Sequence, residues 1–248
     1  MTAARSARMD GRTAVITGAA GGLGRAFAVG LAQEGARVVG VDIADQSRTD
    51  AAVTAAGGSY RAITADITEP AECDRVAAEA GDSAILVNNA GIFPVIPFAE
   101  TTVQDWRRIH RLNVEGTFSM THALLPAMIE SGWGRVVMIS SAVVWLGPPG
   151  MVAYTASKAA LVGMVRALAS EIGGTGVTVN AITPGLTRTE TALSTEVNEQ
   201  FPHVVANQAV PHAEEADDLV STLLYICDEG SGFLTGQAIN VDGGYAKH

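Results

Sequence analysis

Eight residues constrain this chain more than any others. The short β-branched run at 13–17 (TAVIT) ends in Thr17-Gly18-Ala19-Ala20-Gly21-Gly22-Leu23-Gly24, and a helical pattern begins at once, over about 23–34, with Gly35 placed to end it. A strand that turns so tightly into a helix needs the backbone freedom of glycine. A pyrophosphate, in turn, can approach a backbone only where no Cβ intervenes, and the helix N-terminus offers it N–H donors and a partial positive charge. A Gly-rich turn is also compatible with a purely structural role. The second strand bears on that choice, because it ends at Asp42, about the distance downstream at which an acid meets the adenosine ribose hydroxyls, although an Asp at a strand end can be a plain turn residue. The two features together predict a dinucleotide site.

The rest of the chain repeats the same alternation. Strands are expected at 37–43 (RVVGVDI), 61–65, 84–88, 135–140, 177–182 and 237–241, with helical patterns near 70–80, 103–130, 153–172 and 213–227. Strands that alternate with helices imply an α/β fold of the doubly wound, Rossmann type: seven parallel strands in one sheet covered by helices on both faces. At 248 residues and without a Pro/Gly/Ser linker, the expectation is a flexible tail at 1–8 and a single domain at 9–248. The stretch 187–211 mixes Thr, Glu, Asn, Gln and Pro over a length unusual for a plain connection, which suggests a substrate lid.

Composition excludes several classes. Charged residues make up 17% against a usual share of roughly a quarter, and apolar residues 48%. The core material is ample and an apolar subunit interface is expected. A net charge of −10 with no basic patch argues against nucleic acid. Two arginines in 1–8 are followed by no apolar h-region, and no apolar run of about 18 residues occurs, so neither a signal peptide nor a membrane span is supported and a soluble, cytoplasmic protein is expected. Cys73 and Cys227 are isolated and read as semi-buried thiols. The histidines (His110, His122, His203, His212, His248) show no ligand spacing, so no metal is expected, and no GxSxG elbow is present.

Five motifs resemble a known family. Thr17-Gly18-x-x-x-Gly22-x-Gly24, Asn88-Asn89-Ala90-Gly91, Ser141, Tyr154-x-x-x-Lys158 and Pro184-Gly185 stand in the order and spacing of the single-domain short-chain dehydrogenases/reductases, over about 12–245. The resemblance implies that Gly18, Gly21, Gly22, Leu23 and Gly24 cradle the cofactor. Asp42 with Ile43 is implied to meet the ribose and Asp66 with Ile67 the adenine, while Asn89, Ala90 and Gly91 run along the adenosine side, unless Asn89 is purely structural. Pro184, Gly185, Thr187 and Thr189 are implied to grip the nicotinamide carboxamide; an aliphatic residue is commoner at the position of Thr187, where the contact is implied to run through the backbone. A carboxylate at 42 accepts both ribose hydroxyls and repels an additional phosphate, and no Arg follows it, so NAD is the expected cofactor.

Tyr154 and Lys158 lie four apart in a helical pattern and therefore on one face. A phenol with a reference pKa of about 10 is a poor base at neutral pH, and a nearby ammonium is expected to lower it. The family's mechanism gives Tyr154 the proton transfer, Lys158 the lowering of its pKa and a hold on the ribose, Ser141 a hydrogen bond to the substrate oxygen, and Asn113 a water leading from Lys158 to solvent. Ser140 competes with Ser141, which the spacing favours.

Phe93, Pro94, Val144, Trp145 and Leu146, with Leu193 and Phe201 from the lid, are expected to make the substrate pocket apolar. Trp145 has the alternative of packing beneath the lid. NNAGIFPVIPF, ESGWGR and VVWLG are similar to the family's 1-phenylethanol dehydrogenases. The expected activity is therefore NAD(H)-dependent interconversion of a hydrophobic secondary alcohol, aromatic ones included, and its ketone. The alternatives are a 3-oxoacyl-thioester reductase acting on a carrier protein and a non-catalytic dinucleotide sensor. The family's association through its long helices and C-terminal segment implies a homotetramer, here using 103–130, 153–172 and 245–248.

Overall fold

The computed structural model describes residues 9–247; the tail expected at 1–8, and His248, lie outside them. Seven parallel strands form one sheet: β1 (Thr13–Thr17), β2 (Arg37–Asp42), β3 (Ser59–Thr64), β4 (Ser83–Asn88), β5 (Gly134–Ile139), β6 (Val177–Pro184) and β9 (Ala238–Val241). Their order is β3-β2-β1-β4-β5-β6-β9, and β7 (Thr187–Arg188) pairs with β8 (Glu214–Glu215) in a separate two-stranded ribbon. The doubly wound α/β fold expected from the alternation is the one observed. The strand order reverses between β1 and β4, so their C-terminal ends part and leave a crevice.

Alternate residues of each strand reach opposite faces, and both faces are buried, which is why the strands read as unbroken apolar runs. Val15, Leu86, Val136 and Met138 enter one core cluster, with Cys73 and Val76 of α3 (Pro70–Ala80), Met120 and Leu124 of α5 (Thr117–Ser131) and Leu161 and Val165 of α7 (Val152–Glu171). Ile16, Ile85, Val137 and Ile139 enter the other, with Phe27 and Leu31 of α1 (Gly22–Gln33), Val53 of α2 (Ser47–Ala55) and Leu223 and Ile226 of α10 (Val220–Cys227). The two cysteines sit in different clusters and are fully buried rather than half so; burial pushes their thiols up to about 11 for Cys73 and about 12 for Cys227.

Four departures from the sequence expectation have physical causes. Helix α2 is not foreseen, because its mean hydropathy is low and it offers the core only Thr49 and Val53. The helix expected over 103–130 is α4 (Val103–His110), a π-turn at Arg111–Gly116 and α5, so the 3.6-residue period breaks in the middle. The segment expected to be helical from 213 opens as β8 and a 3-10 turn, Ala216–Leu219, before α10. The stretch 187–211 holds β7, α8 (Glu190–Leu193), a 3-10 turn at Glu196–Gln200 and α9 (Phe201–Asn207), with Ala192, Val197 and Phe201 packed as a small cluster. These pieces are too short to show a period. Among the described residues no helix is long and apolar enough to cross a membrane.

Candidate active site

A cavity of about 520 Å³ opens at the crevice above β1 and β4. One end is walled by the β1–α1 turn. Gly18 has φ +67°, and a Cβ there would stand 2.8 Å from Asn89 Nδ2 and 2.9 Å from Ala90 Cα. The Asn89 side chain donates to the carbonyls of Thr17 and Gly18 (3.0 and 3.1 Å), while Thr17 Oγ1 accepts from the amides of Asn89 and Ala90 (3.0 and 3.1 Å). The first and fourth strand ends are thereby locked together. Helix α1 starts after Gly21 with no side-chain cap and no acidic residue in its first turn, so its N–H donors and positive dipole end face the cavity. Asp42 lies on the wall, its Oδ2 accepting from Ala20 N and its Oδ1 from Ala44 N, both at 2.9 Å. An uncapped helix end, glycines that leave the backbone bare and a fixed carboxylate are what a dinucleotide requires, and these residues fit one. When bound, the nicotinamide supplies or takes up the hydride.

The other end holds the side chains expected to react. Helix α7 carries Tyr154 and Lys158, and the strand end of β5 delivers Ser140 and Ser141. A hydrogen bond joins the Ser141 and Tyr154 hydroxyls, whereas Ser140 donates to the Lys158 carbonyl at 2.8 Å. Ser140 is thus occupied by the fold and Ser141 faces the phenol. Lys158 Nζ lies 5.8 Å from the centre of the Tyr154 ring and donates to Ile139 O at 2.7 Å.

The lowered phenol pKa expected from the Tyr–Lys spacing is not what this arrangement gives. Burial pushes Tyr154 up to about 12, against the lowering effect of the Ser141 bond, and pushes Lys158 down to about 8. At neutral pH Tyr154 therefore holds its proton and Lys158 its charge. The phenol is set to donate, and the ammonium to steady the phenolate that remains.

Asn113 sits fully buried in the π-turn. Its Oδ1 accepts from Ile92 N (2.9 Å), and its Nδ2 donates to Ile92 O (2.9 Å) and to Ser157 Oγ (3.0 Å). A Cβ on Gly91 would stand 3.1 Å from Asn113 Oδ1 and 3.3 Å from Lys158 Nζ, so these three groups crowd one point. The π-turn is what swings Asn113 to it, and Asn113 spends its hydrogen bonds clamping the segment after β4.

Of the residues expected at the cofactor, Gly18, Gly21, Gly22, Leu23, Asp42, Asn89, Ala90, Gly91, Pro184, Gly185, Thr187 and Thr189 line the cavity. Four do not. Ile43 is 73% exposed, Asp66 is exposed and caps Thr68 N through its Oδ1 (2.9 Å), and Ile67 is buried. Gly24 lies behind the turn, where a Cβ would overlap the Gly18 carbonyl oxygen. Thr189 Oγ1 accepts from Ala192 N (3.1 Å), capping α8.

In the expected substrate pocket Phe93 and Leu146 line the cavity, and Pro94, Val144, Trp145, Leu193 and Phe201 do not. The short helix α6 (Val143–Leu146) presents Val143 and Leu146 to the cavity and turns Trp145 away, its Nε1 donating to Thr183 Oγ1 at 3.4 Å. Phe201 packs in the small cluster behind the wall, and Leu193 is 42% exposed. Met151 just before α7, Leu186 between β6 and β7, Val197 and Gln200 on the 3-10 turn and His203 and Val204 on α9 line the cavity without having been foreseen, because these loops and short elements show no period in the sequence. Tyr245, expected at a subunit contact, lines it as well. Among the described residues no group of three or more His, Cys, Asp or Glu side chains can hold a metal.

Comparison with known proteins agrees with this arrangement. A family model described as enoyl-(acyl carrier protein) reductase matches residues 18–246. The chain is 38% identical to the (2S)-[(R)-hydroxy(phenyl)methyl]succinyl-CoA dehydrogenase subunit BbsD of Thauera aromatica, over 95% of this chain and 97% of that one. It is 34% identical to the D-threitol dehydrogenase of Mycolicibacterium smegmatis, over 96% and 94%. The crystal structure of a 3-oxoacyl (acyl-carrier-protein) reductase from Agrobacterium tumefaciens with NADP bound superposes with a TM-score of 0.90 at 27% identity, covering 97% of this chain and 96% of that one. Sheet order, Gly-rich turn, the Ser–Tyr–Lys group and these matches together make the chain a member of the short-chain dehydrogenase/reductase family of oxidoreductases.

Proposed function

We propose that the protein is an NAD(H)-dependent dehydrogenase that interconverts a hydrophobic, preferably aromatic, secondary alcohol and its ketone. The observation that carries this reading is an apolar wall beside the Ser141 and Tyr154 hydroxyls. Phe93, Leu146, Met151, Leu186 and Val197 wall the end of the cavity at which the Ser141 and Tyr154 hydroxyls meet. Phe93 stands edge-on to Tyr154, ring centres 6.3 Å apart at 60°. An aryl ring would cover these apolar walls, whereas a polyol would find side-chain partners for its remaining hydroxyls only in the roof, at Gln200 and His203. In reduction Tyr154 donates its proton to the carbonyl oxygen while Ser141 hydrogen-bonds the same oxygen; in oxidation both steps reverse. The Thauera relative, whose name carries a hydroxy(phenyl)methyl group, supports the aromatic half of the proposal.

Preference for NAD rests on Asp42, whose carboxylate would repel a 2′-phosphate. The Agrobacterium reductase holds NADP, so the cofactor is tested together with the substrate. We expect kcat/KM for an aryl methyl carbinol with NAD to exceed that for a polyol of similar size by at least about tenfold, the discrimination that burying one aromatic group supplies, and to fall when NADP replaces NAD. A polyol preference overturns the substrate assignment and an NADP preference the cofactor assignment. Faster turnover of a carrier-linked 3-oxoacyl thioester with NADPH would favour the reductase alternative, and no turnover of any of these substrates would favour a dinucleotide sensor.

The same proposal includes the stretch 187–211 as a substrate lid, since Val197, Gln200, His203 and Val204 roof the cavity. It also includes a homotetramer. Trp106, Phe118 and Ile129 stand exposed along 103–131, as do Tyr225 and Phe233 towards the C-terminus, apolar side chains that a subunit contact would cover. Light scattering is expected to give four times the 25.6 kDa chain mass, and a monomeric mass would contradict it.

A further inference from the structure

The roof of the cavity carries two polar side chains that the fold leaves unused. From Gln200, at φ −83° and ψ −18°, the chain runs on helically through α9, and Gln200, His203 and Val204 share the face of it that lines the cavity. A helix meets a cavity through its side chains, which sheathe the backbone. Among the described residues neither the Gln200 amide nor the His203 ring has a hydrogen-bond partner; Asn207 Nδ2 donates to the His203 carbonyl at 2.8 Å and leaves the ring free. Phe201 turns the other way, into the small cluster with Ala192 and Val197 on which Phe93 packs, and Phe93 in turn stands edge-on to Tyr154. Both ends of the lid are tied down. Glu190 pairs with Arg25 (3.1 Å) and Arg48 (2.9 Å), and the amides of Ala209 and Val210 donate to Gly243 O at 2.8 and 2.9 Å.

We propose that Gln200 and His203 are specificity-determining residues that take a carboxylate carried by the substrate, so that the substrate class is an aryl oxo acid and the corresponding hydroxy acid rather than a plain aryl ketone and its alcohol. This rests on the reading that Ser141 and Tyr154 hold a ketone oxygen beside an apolar wall.

A carboxylate matches these donors better than other groups do. An imidazole presents an N–H in every tautomer and an amide nitrogen presents two, while a carboxylate has acceptors only, on two oxygens, so one group meets both side chains. Hydrogen bonds to it are charge-assisted and about twice as strong as neutral ones. Gln200 and His203 are solvent-exposed, so the anion keeps part of its hydration and costs little to place. The charges around the cavity point the same way. Among the lining residues the carboxylates are Asp42 and Glu190, both at the glycine turn, where Glu190 Oε2 stands 3.2 Å from the place a Gly21 Cβ would take; at the Tyr154 end the charged lining residue is Lys158. The carboxylate takes no part in the chemistry. In reduction the carbonyl carbon accepts the hydride of NADH and the carbonyl oxygen the Tyr154 proton, which leaves the hydroxy acid and NAD.

The probes are 4-oxo-4-phenylbutanoate, its methyl ester and 1-phenylbutan-1-one, which share the aryl ketone and differ in the group at the far end of the chain, each reduced with NADH at one pH. Wild-type kcat/KM for the acid is expected to exceed that for phenylbutanone by about tenfold, the worth of a charge-assisted pair of hydrogen bonds at an exposed site, with the neutral ester within about threefold of phenylbutanone. Gln200→Leu and His203→Leu should each lower the ratio of acid to phenylbutanone by about threefold and the double variant should bring it toward one. His203→Gln, which keeps an N–H donor, should hold the ratio, as a purely steric role for the ring would not. A wild-type ratio of one or less, an ester as good as the acid, or leucine variants that discriminate as the wild type does would overturn the carboxylate assignment while leaving aryl-ketone reduction standing. The acid and ester arms on the wild-type protein keep the test decisive if the leucine variants fail to fold. Reduction of none of the three ketones overturns the aryl-ketone reading, and this assignment with it.

Discussion

Tyr154→Phe is expected to lower turnover at least about a hundredfold while dinucleotide affinity stays within about twofold, because general acid–base catalysis by a positioned group is worth about 10²–10⁴ and the lost hydroxyl faces the substrate end of the cavity. The site makes the split sharp. The phenol's neighbours are Ser141 and the Phe93 edge, and the glycines and Asp42 expected at the dinucleotide lie at the opposite end. Burial holds the tyrosine proton in place at neutral pH, so phenylalanine removes a donor that is populated, with little change of shape. The measurement is kcat by nicotinamide absorbance, alongside calorimetric titration with the cofactor. Near-normal turnover would remove Tyr154 from the reaction; a parallel collapse of binding would mean that the residue shapes the fold instead.

Gly24→Ala sets two local effects against each other. Alanine is the better helix former by about 1 kcal/mol, and Gly24 lies in the first turn of α1. A Cβ there, however, would overlap the Gly18 carbonyl oxygen and stand 2.9 Å from Ala19 Cα and Gly18 C, atoms of a backbone that the Asn89 side chain holds from the other side. Overpacking against rigid neighbours costs about 1–3 kcal/mol, so the clash wins. The turn must open, and with it the approach of the pyrophosphate to the helix end. Dinucleotide affinity is expected to fall by about tenfold to a hundredfold, with a lower Tm despite the higher helix propensity. An affinity within twofold of wild type in calorimetry would show that the turn can relax without disturbing the site.

What the sequence determined by itself was whatever local chemistry forces. The run TAVIT followed by glycines at 18, 21, 22 and 24 admits little besides a tight strand–helix turn, and the buried strands announce themselves because both faces of a parallel sheet are covered. The four-residue spacing of Tyr154 and Lys158 puts them on one helix face in any fold that keeps the helix. Tertiary structure alone decided the rest. The π-turn that carries Asn113 to Ile92 and Ser157 breaks a helical period that the apolar pattern does not report. Which of four consecutive apolar residues at 143–146 faces the cavity depended on the phase of a single helical turn, and Trp145 lost to Val143 and Leu146. The titration of Tyr154 turned on desolvation, a property of how many neighbours surround a group and not of its spacing from a lysine. Glu214 carries no local signal: it meets Thr187 only because β7 and β8, 27 positions apart in the chain, pair side by side. Side-chain periodicity records which face a residue takes on its own element; it holds no record of which other element will be packed against that face.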